Sequence, residues 1–362
     1  MQYLFDTYDN LKAIDSIDSN LVTMADAALQ VTDKVDLSKV NDLRSTTTSN
    51  ITLDLLADSK ENLSTIDNFK IEQGVNGPIN GDVILSNTDI TVTDVVNKDE
   101  ADLINTYNDL SGTVTLTSVT DVLENVNALS TTDGISIATS DLKVTDTTNL
   151  ADAQDLDSYT TGEVTLNEVT DSFENVKAIF SLTPSVESSD GVNLTSAAIT
   201  ITDPINLSQA NEVNSFTTGL VTLISVKDTH QNLISIDAIN NSELTMANAS
   251  VEVIGNVNLS QVDELRADTS GDITVNEITD LKENLAVVNT YKDEEVTILD
   301  NTLTLDINSG IQEFDLSEAS TVNIRDFTIS VTYKDVESPT STATIEFNAD
   351  NQAEVDNLVE IH

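Results

Sequence analysis

Apolar residues stand two apart in a series of short segments: Leu29 with Val31, Ile90 with Val92, Leu142 with Val144, Ile199 with Ile201, and Val251 with Val253. That is the period of a half-buried β-strand with one face turned to a core. A second series alternates in a fixed context. Ile51-Thr52-Leu53, Val114-Thr115-Leu116, Val164-Thr165-Leu166, Val221-Thr222-Leu223 and Ile273-Thr274-Val275 are each followed, five residues past the triplet, by Asp58, Asp121, Asp171, Asp228 or Asp280. Three residues on stands Glu61, Glu124, Glu174, Gln231 or Glu283, and next comes Asn62, Asn125, Asn175, Asn232 or Asn284. Asp and Glu or Gln have capping-box spacing, which predicts a helix with each Asp as its N-cap. Apolar residues fall one and four positions beyond the Asn: Leu63 with Ile66, Val126 with Leu129, Val176 with Ile179, Leu233 with Ile236, Leu285 with Val288. Both then lie on one face of a short helix. An incomplete copy, Asp6 through Asn10 with Leu11 and Ile14, opens the chain.

The first series of strands leads into helices as well. Asp33, Asp94, Asp146 and Asp203 follow most of its strands, and Asn206-Leu207-Ser208-Gln209 and Asn258-Leu259-Ser260-Gln261 again have capping-box spacing. Asp36-Leu37-Ser38 and Asp315-Leu316-Ser317 look like further copies. The conserved phase of the repeated Asn residues, 63, 50, 57 and 52 residues apart, defines a unit made of two strand–helix half-repeats of about 28 residues each. Units this small bury their apolar face only by stacking. The expected fold is therefore a repeat solenoid of short parallel strands and short capped helices. Residues 1–320 would form about five and a half copies, and residues 321–362 a small β-containing C-terminal cap. The strands expected in that cap are Phe327 to Val331 and Ala343 to Phe347, around Ser338-Pro339-Thr340, with a last helix from Gln352 to Ile361. Met1 enters in mid-repeat, so the first coil is expected to be completed by a longer parent chain or a neighbouring subunit. Length varies at Asn68 to Gly81 and Ser181 to Gly191, rich in Ser, Asn, Gly and Pro, which read as projecting loops. The Thr-Thr-Gly of Thr160 to Gly162 and Thr217 to Gly219 reads as a turn in which Gly supplies positive φ.

Charge narrows the functions. The 362 residues carry 63 acidic against 15 basic side chains, a formal net charge of -48. A field of that sign repels nucleic acid and anionic lipid, and attracts cations. No stretch reads as a secretory signal or a membrane-spanning helix, so membrane insertion is not expected. Cysteine is absent, and His230 and His362 are the only histidines, which leaves no thiolate chemistry and too few ligands for an ordinary zinc site. His230 shares its repeat position with Lys60, Leu123, Phe173 and Lys282 and reads as a surface residue. No Gly-rich phosphate loop and no EF-hand spacing occurs.

The repeated Val-Thr-Asp, Asn-Leu-Ser-Gln-Ala and Thr160-Thr161-Gly162 to Leu166 phrases resemble those of large, acidic, cysteine-free repeat proteins of bacterial surfaces: S-layer proteins and calcium-dependent type I secreted adhesins. The resemblance covers about 320 residues and implies secretion, self-assembly or adhesion, and bound calcium. The Gly-Asp nonapeptide of secreted adhesins does not occur here. Asp99, Glu100 and Asp102, together with Asp293, Glu294 and Glu295, are the candidate calcium ligands, since a hard cation takes several carboxylate oxygens. The expectation is a non-enzymatic extracellular structural protein, at a cell or virion surface, that needs no cofactor and assembles with copies of itself. The alternatives are an adhesin stalk or phage tail fibre that binds a surface polysaccharide or receptor, and, more weakly, a polysaccharide-active solenoid with one acidic cleft.

Overall fold

A computed structural model describes residues 2–17, 23–69, 82–109, 111–182, 191–239, 243–280, 296–306, 326–333 and 341–348. The fold is α/β, with parallel strands and ten helices among the described residues. Contacts divide it into two units: Met1–Glu168 with Ala178–Leu194, and Val169–Lys177 with Thr195–His362.

The first unit begins β1 (Gln2–Asp6), α1 (Tyr8–Asp15), β2 (Ala27–Val35), α2 (Leu37–Arg44), β3 (Ile51–Asp58), α3 (Lys60–Asp67). It continues β4 (Val83–Ile84), β5 (Asp89–Val96), α4 (Lys98–Asn105), β6 (Val114–Asp121), α5 (Leu123–Ser130), β7 (Ile135–Ser136), β8 (Asp141–Thr148) and α6 (Leu150–Tyr159). β9 (Glu163–Asp171) and α7 (Phe173–Phe180) run across the division, and β10 (Gly191–Asn193) returns to β9. The long strands lie side by side in chain order, all parallel. Each strand of the Asp58 class is shared in succession: β4 takes Ile51 and Thr52 of β3, and β5 takes Leu55 to Asp58. β7 and β8 divide β6 in the same way. A carbonyl at the changeover would be left unpaired, and a buried hydroxyl supplies the donor: Thr88 Oγ1 to Leu53 O at 2.5 Å, and Ser140 Oγ to Leu116 O at 2.6 Å.

The second unit holds β11 (Ala198–Ile201), α8 (Leu207–Asn214), β12 (Val221–Leu223), β13 (Ser225–Asp228), α9 (His230–Asp237), β14 (Leu244–Thr245), β15 (Ser250–Val257), α10 (Leu259–Asp268) and β16 (Ile273–Asp280). β17 (Val296–Asp306) and β18 (Asp326–Tyr333) extend it in parallel, and β19 (Ser341–Asn348) pairs antiparallel with β18. The two strands expected near residues 327–331 and 343–347 are thus present. The helices expected near Leu285 and at Gln352 to Ile361, and the cap at Asp315-Leu316-Ser317, lie outside the described residues.

The core follows the two sequence periods. Inward strand residues such as Leu29, Val31, Ile90, Val92, Val114 and Leu116 are buried, and each helix from α2 to α10 adds a pair three apart. In the Asn62 class these are Leu63 and Ile66, Val126 and Leu129, Val176 and Ile179, Leu233 and Ile236. The alternate helices contribute Val40 and Leu43, Ala101 and Ile104, Ala153 and Leu156, Ala210 and Val213, Val262 and Leu265. Helices of eight or ten residues are marginal alone; docking this pair on the sheet is what holds them.

Two expectations are corrected. The Asp of the Asp58 class is not an N-cap. It ends its strand, and the next residue caps the helix: Thr7, Ser59, Val122 and Thr229 occupy that position in α1, α3, α5 and α9. The reciprocal capping box belongs to the other class, at Asn97 with Glu100, Asn149 with Asp152, Asn206 with Gln209 and Asn258 with Gln261. Likewise Gly162 and Gly219 are not among the glycines with positive φ, which are Gly134, Gly191 and Gly255 among the described residues. Their requirement is space. A Cβ on Gly162 would stand 2.3 Å from Ser140 O, and one on Gly219 2.2 Å from Ala197 O. The preceding hydroxyl draws the turn in, since Thr160 Oγ1 donates to Ser140 O and Thr217 Oγ1 to Ala197 O.

Candidate functional site

At eight of the ten described helices the recurring carboxylates form rungs of a ladder that joins a half-repeat to the one before it. The first N–H of a helix has no partner within its own helix and carries the positive end of the helix dipole. Here it is accepted by the strand-end Asp of the following half-repeat. Leu37 N–H donates to Asp58 Oδ2 at 2.8 Å, Lys98 N–H to Asp121 Oδ2 at 2.8 Å, Leu207 N–H to Asp228 Oδ2 at 3.0 Å and Leu259 N–H to Asp280 Oδ2 at 2.9 Å. The alternate rungs run from Tyr8 N–H to Asp33, Lys60 N–H to Asp94, Leu123 N–H to Asp146 and Phe173 N–H to Asp203, at 2.7–2.8 Å. Asp33 and Asp94 sit where the strand register slips, a bulge that turns the carboxylate toward the helix.

In the Asp58 class the second oxygen works inside its own half-repeat. Asp58 Oδ1 accepts from Ser59 N–H and from Asn62 Nδ2, and Asp121 and Asp228 are held alike by Asn125 and Asn232. This gives the repeated Asn its role: it fixes the carboxylate that serves the neighbouring helix. Burial alone would raise Asp121 and Asp228. It is outweighed by the donors from Lys98, Asn125 and Val122, and from Leu207, Asn232 and Thr229, so both titrate below the ordinary carboxylate value. Asp6 is also lowered, chiefly by Asn10 and then by Thr7 N–H.

Of the sequence candidates for calcium, Asp99, Glu100 and Asp102 lie along α4, and their contacts diverge. Glu100 Oε1 is 2.7 Å from Lys60 Nζ on α3, which lowers its titration, and its Oε2 accepts Asn97 N–H. Asp102 pairs with Lys98 one turn back, and Asp99 is exposed. No group of three or more His, Asp or Glu side chains is placed to share a metal among the described residues. Asp293, Glu294 and Glu295 lie outside them.

One constellation escaped the sequence reading. His230 opens α9, with Nδ1 3.2 Å from Gln261 Nε2 and Nε2 3.1 Å from Glu264 Oε2, the latter without hydrogen-bond alignment. Asp268 nearby is pushed above the ordinary carboxylate value by burial and then by Asp237 and Glu264, against the pull of His230. Gly255, with φ +91°, stands in this half-repeat where the others carry the rung Asp. That departure from the pattern was the available signal.

No helix among the described residues is long and apolar enough to cross a membrane. No protein family, no curated protein and no solved structure matches the chain.

Proposed function

We propose that the chain is a non-enzymatic structural protein, a strand–helix solenoid that serves as a self-assembling subunit of an extracellular layer or filament. The observation that carries this reading is the ladder. The carboxylates that recur most regularly are consumed in tying one half-repeat to the next, not gathered around a cavity, as a hydrolytic carboxylate pair would be. A chain most of whose described half-repeats are joined by the same two devices, strand pairing and a carboxylate on the next helix start, is built for extension. The high negative charge keeps such subunits apart until salt or divalent cations screen it. Calcium in that role acts on the surface charge as a whole, and the α4 carboxylates are the first residues to test for a localised ion.

Light scattering and negative-stain microscopy of the purified chain, with millimolar calcium and then with chelator, test the proposal. Filaments or sheets that grow with calcium and disperse with chelator are the expected result. A strictly monomeric protein under all calcium and salt conditions overturns it, and a calcium-indifferent trimer would favour a fibre or adhesin stalk.

A further inference from the structure

At the joint between α9 and α10 the ladder gives way to side chains that titrate. Gly255 stands where the other half-repeats carry a rung Asp, so His230 N–H, at the start of α9, meets no carboxylate from β15. The His230 ring makes the tie instead. Gln261 Oε1 accepts Asn258 N–H at 2.9 Å in the α10 capping box, which leaves the amide nitrogen to donate to His230 Nδ1 at 3.2 Å. That bond requires an unprotonated Nδ1, so the neutral ring carries its proton on Nε2, 3.1 Å from Glu264 Oε2. The same address on α3 and α4 holds an ordinary ion pair: Lys60 Nζ lies 2.7 Å from Glu100 Oε1, while Glu100 Oε2 accepts Asn97 N–H. α9 packs on α8, β13, β15 and α10. Apart from Glu264 and Asp268, the charged groups that these elements bring are committed: Glu212 to Lys177, Lys227 to Glu252, Asp263 to Arg266, and Asp228 to Leu207 N–H, Thr229 N–H and Asn232. Asp237, on α9 itself, acts on Asp268.

We propose that this joint is a proton-operated switch: protonation of His230 turns the Gln261 amide and moves its oxygen from the α10 cap to the imidazolium. An imidazolium donates from both nitrogens, so Nδ1–H would oppose the Gln261 amide N–H across 3.2 Å. Half a turn of the amide removes the clash and sets Oε1 to accept Nδ1–H. Asn258 N–H then loses its acceptor, and the positive ring attracts the Glu264 carboxylate. The exchange draws α10 to α9 and opens one half of the α10 capping box. Glu264 is 52% exposed, so its attraction is screened and Gln261 is the deciding contact. Histidine changes charge between pH 5 and 8. Asp121 and Asp228, lowered below the ordinary carboxylate value, stay ionised there, so the α9–α10 joint responds where those rungs do not. The device works within one chain and needs no assembly.

Proton–nitrogen NMR of the full chain, titrated from pH 8 to pH 5, tests the switch. The Asn258 amide resonance is expected to move with the same midpoint as the His230 ring resonances. Its protection factor against hydrogen exchange should fall about tenfold, as for the loss of one hydrogen bond. His230→Phe, which installs the residue type of Phe173 at the same repeat position, should leave Asn258 capped across the range. Gln261→Glu should do so with the histidine in place, because a carboxylate offers an oxygen to each donor, as Glu100 does to Asn97 N–H and Lys60. An Asn258 amide indifferent to pH in the parent overturns the proposal, as does one that titrates unchanged in His230→Phe. A response that survives Gln261→Glu overturns it as well, by assigning the change to Glu264 or Asp268 and not to the amide.

Discussion

Gly162 and Gly219 are set against a carbonyl of the preceding coil with no room for a methyl group. Gly162→Ala is expected to cost about 2 kcal/mol or more, because the atom met is backbone and cannot swing aside. Gly255 makes the contrast: it has positive φ but a Cβ would meet nothing within 4 Å, so Gly255→Ala should cost about 1 kcal/mol of conformational strain. Thermal unfolding of the two variants orders them, and a Gly162→Ala protein as stable as the parent would show that the turns can open. Asp268 makes the opposite case. A carboxyl raised in the folded state destabilises at neutral pH, and folding gains as pH falls through its folded value. Asp268→Asn should therefore stabilise by about 0.5 kcal/mol at pH 7, comparable to removing a like-charge helix pair, and the gain should vanish in acid.

At the scale of the strand–helix element, the ladder predicts an acid limit. Asp121 and Asp228 titrate below the unfolded value of about 3.9. Their contribution is thus complete above that value and is lost as pH falls through the lower folded values. Asp121→Asn should cost about 1 kcal/mol at neutral pH, near the low end for a hydrogen-bonded carboxylate because the group is partly exposed. The difference from the parent should close below pH 4. A constant difference across that range would mean that the rung acts through shape and not charge. Much at this scale was legible beforehand. Strand and helix faces follow from periods of two and of three to four, and Leu63 with Ile66 or Val126 with Leu129 are buried as their spacing requires. The helix after Asp58 starts one residue later than the Asp-x-x-Glu spacing predicts, with Ser59 as the cap and Glu61 at the second helical position, because the Asp58 carboxylate is engaged elsewhere. What decided the matter was Leu37 N–H, which lies 21 residues upstream of Asp58 and becomes a neighbour only when coils stack. The same holds for Gly162, whose constraint is Ser140 O. Asp99, Glu100 and Asp102 are adjacent in sequence, but successive helix positions fan out, and Lys60 and Lys98 draw two of them apart.

Over the whole molecule, a net charge of -48 opposes folding by self-repulsion, and the ion pairs among the described residues are too few to balance it. Stability should rise between 0.05 and about 0.5 M sodium chloride as the Debye length shortens, even though single exposed ion pairs weaken over the same range. Within the first unit the coil arrangement makes a further demand. Among its described residues the strands pair and the helices pack in chain order, so stability is expected to approach a sum of nearest-neighbour terms, and the effect of a lesion to depend on where it falls. Leu11 and Leu129 are both fully buried, the first on α1 in the edge coil and the second on α5 with coils on either side. Truncation to Ala costs about 2–5 kcal/mol at either site in the folded coil. Leu11→Ala should lose only β1 and α1, seen as fast hydrogen exchange confined to residues 2–17 with the main transition nearly unmoved. Leu129→Ala has no free end to fray, so it should lower the transition of the flanking coils together. Equal effects of the two on the main transition would mean that the unit unfolds as a single cooperative block, and that joining coils by one strand edge and one carboxylate is already enough to couple them end to end.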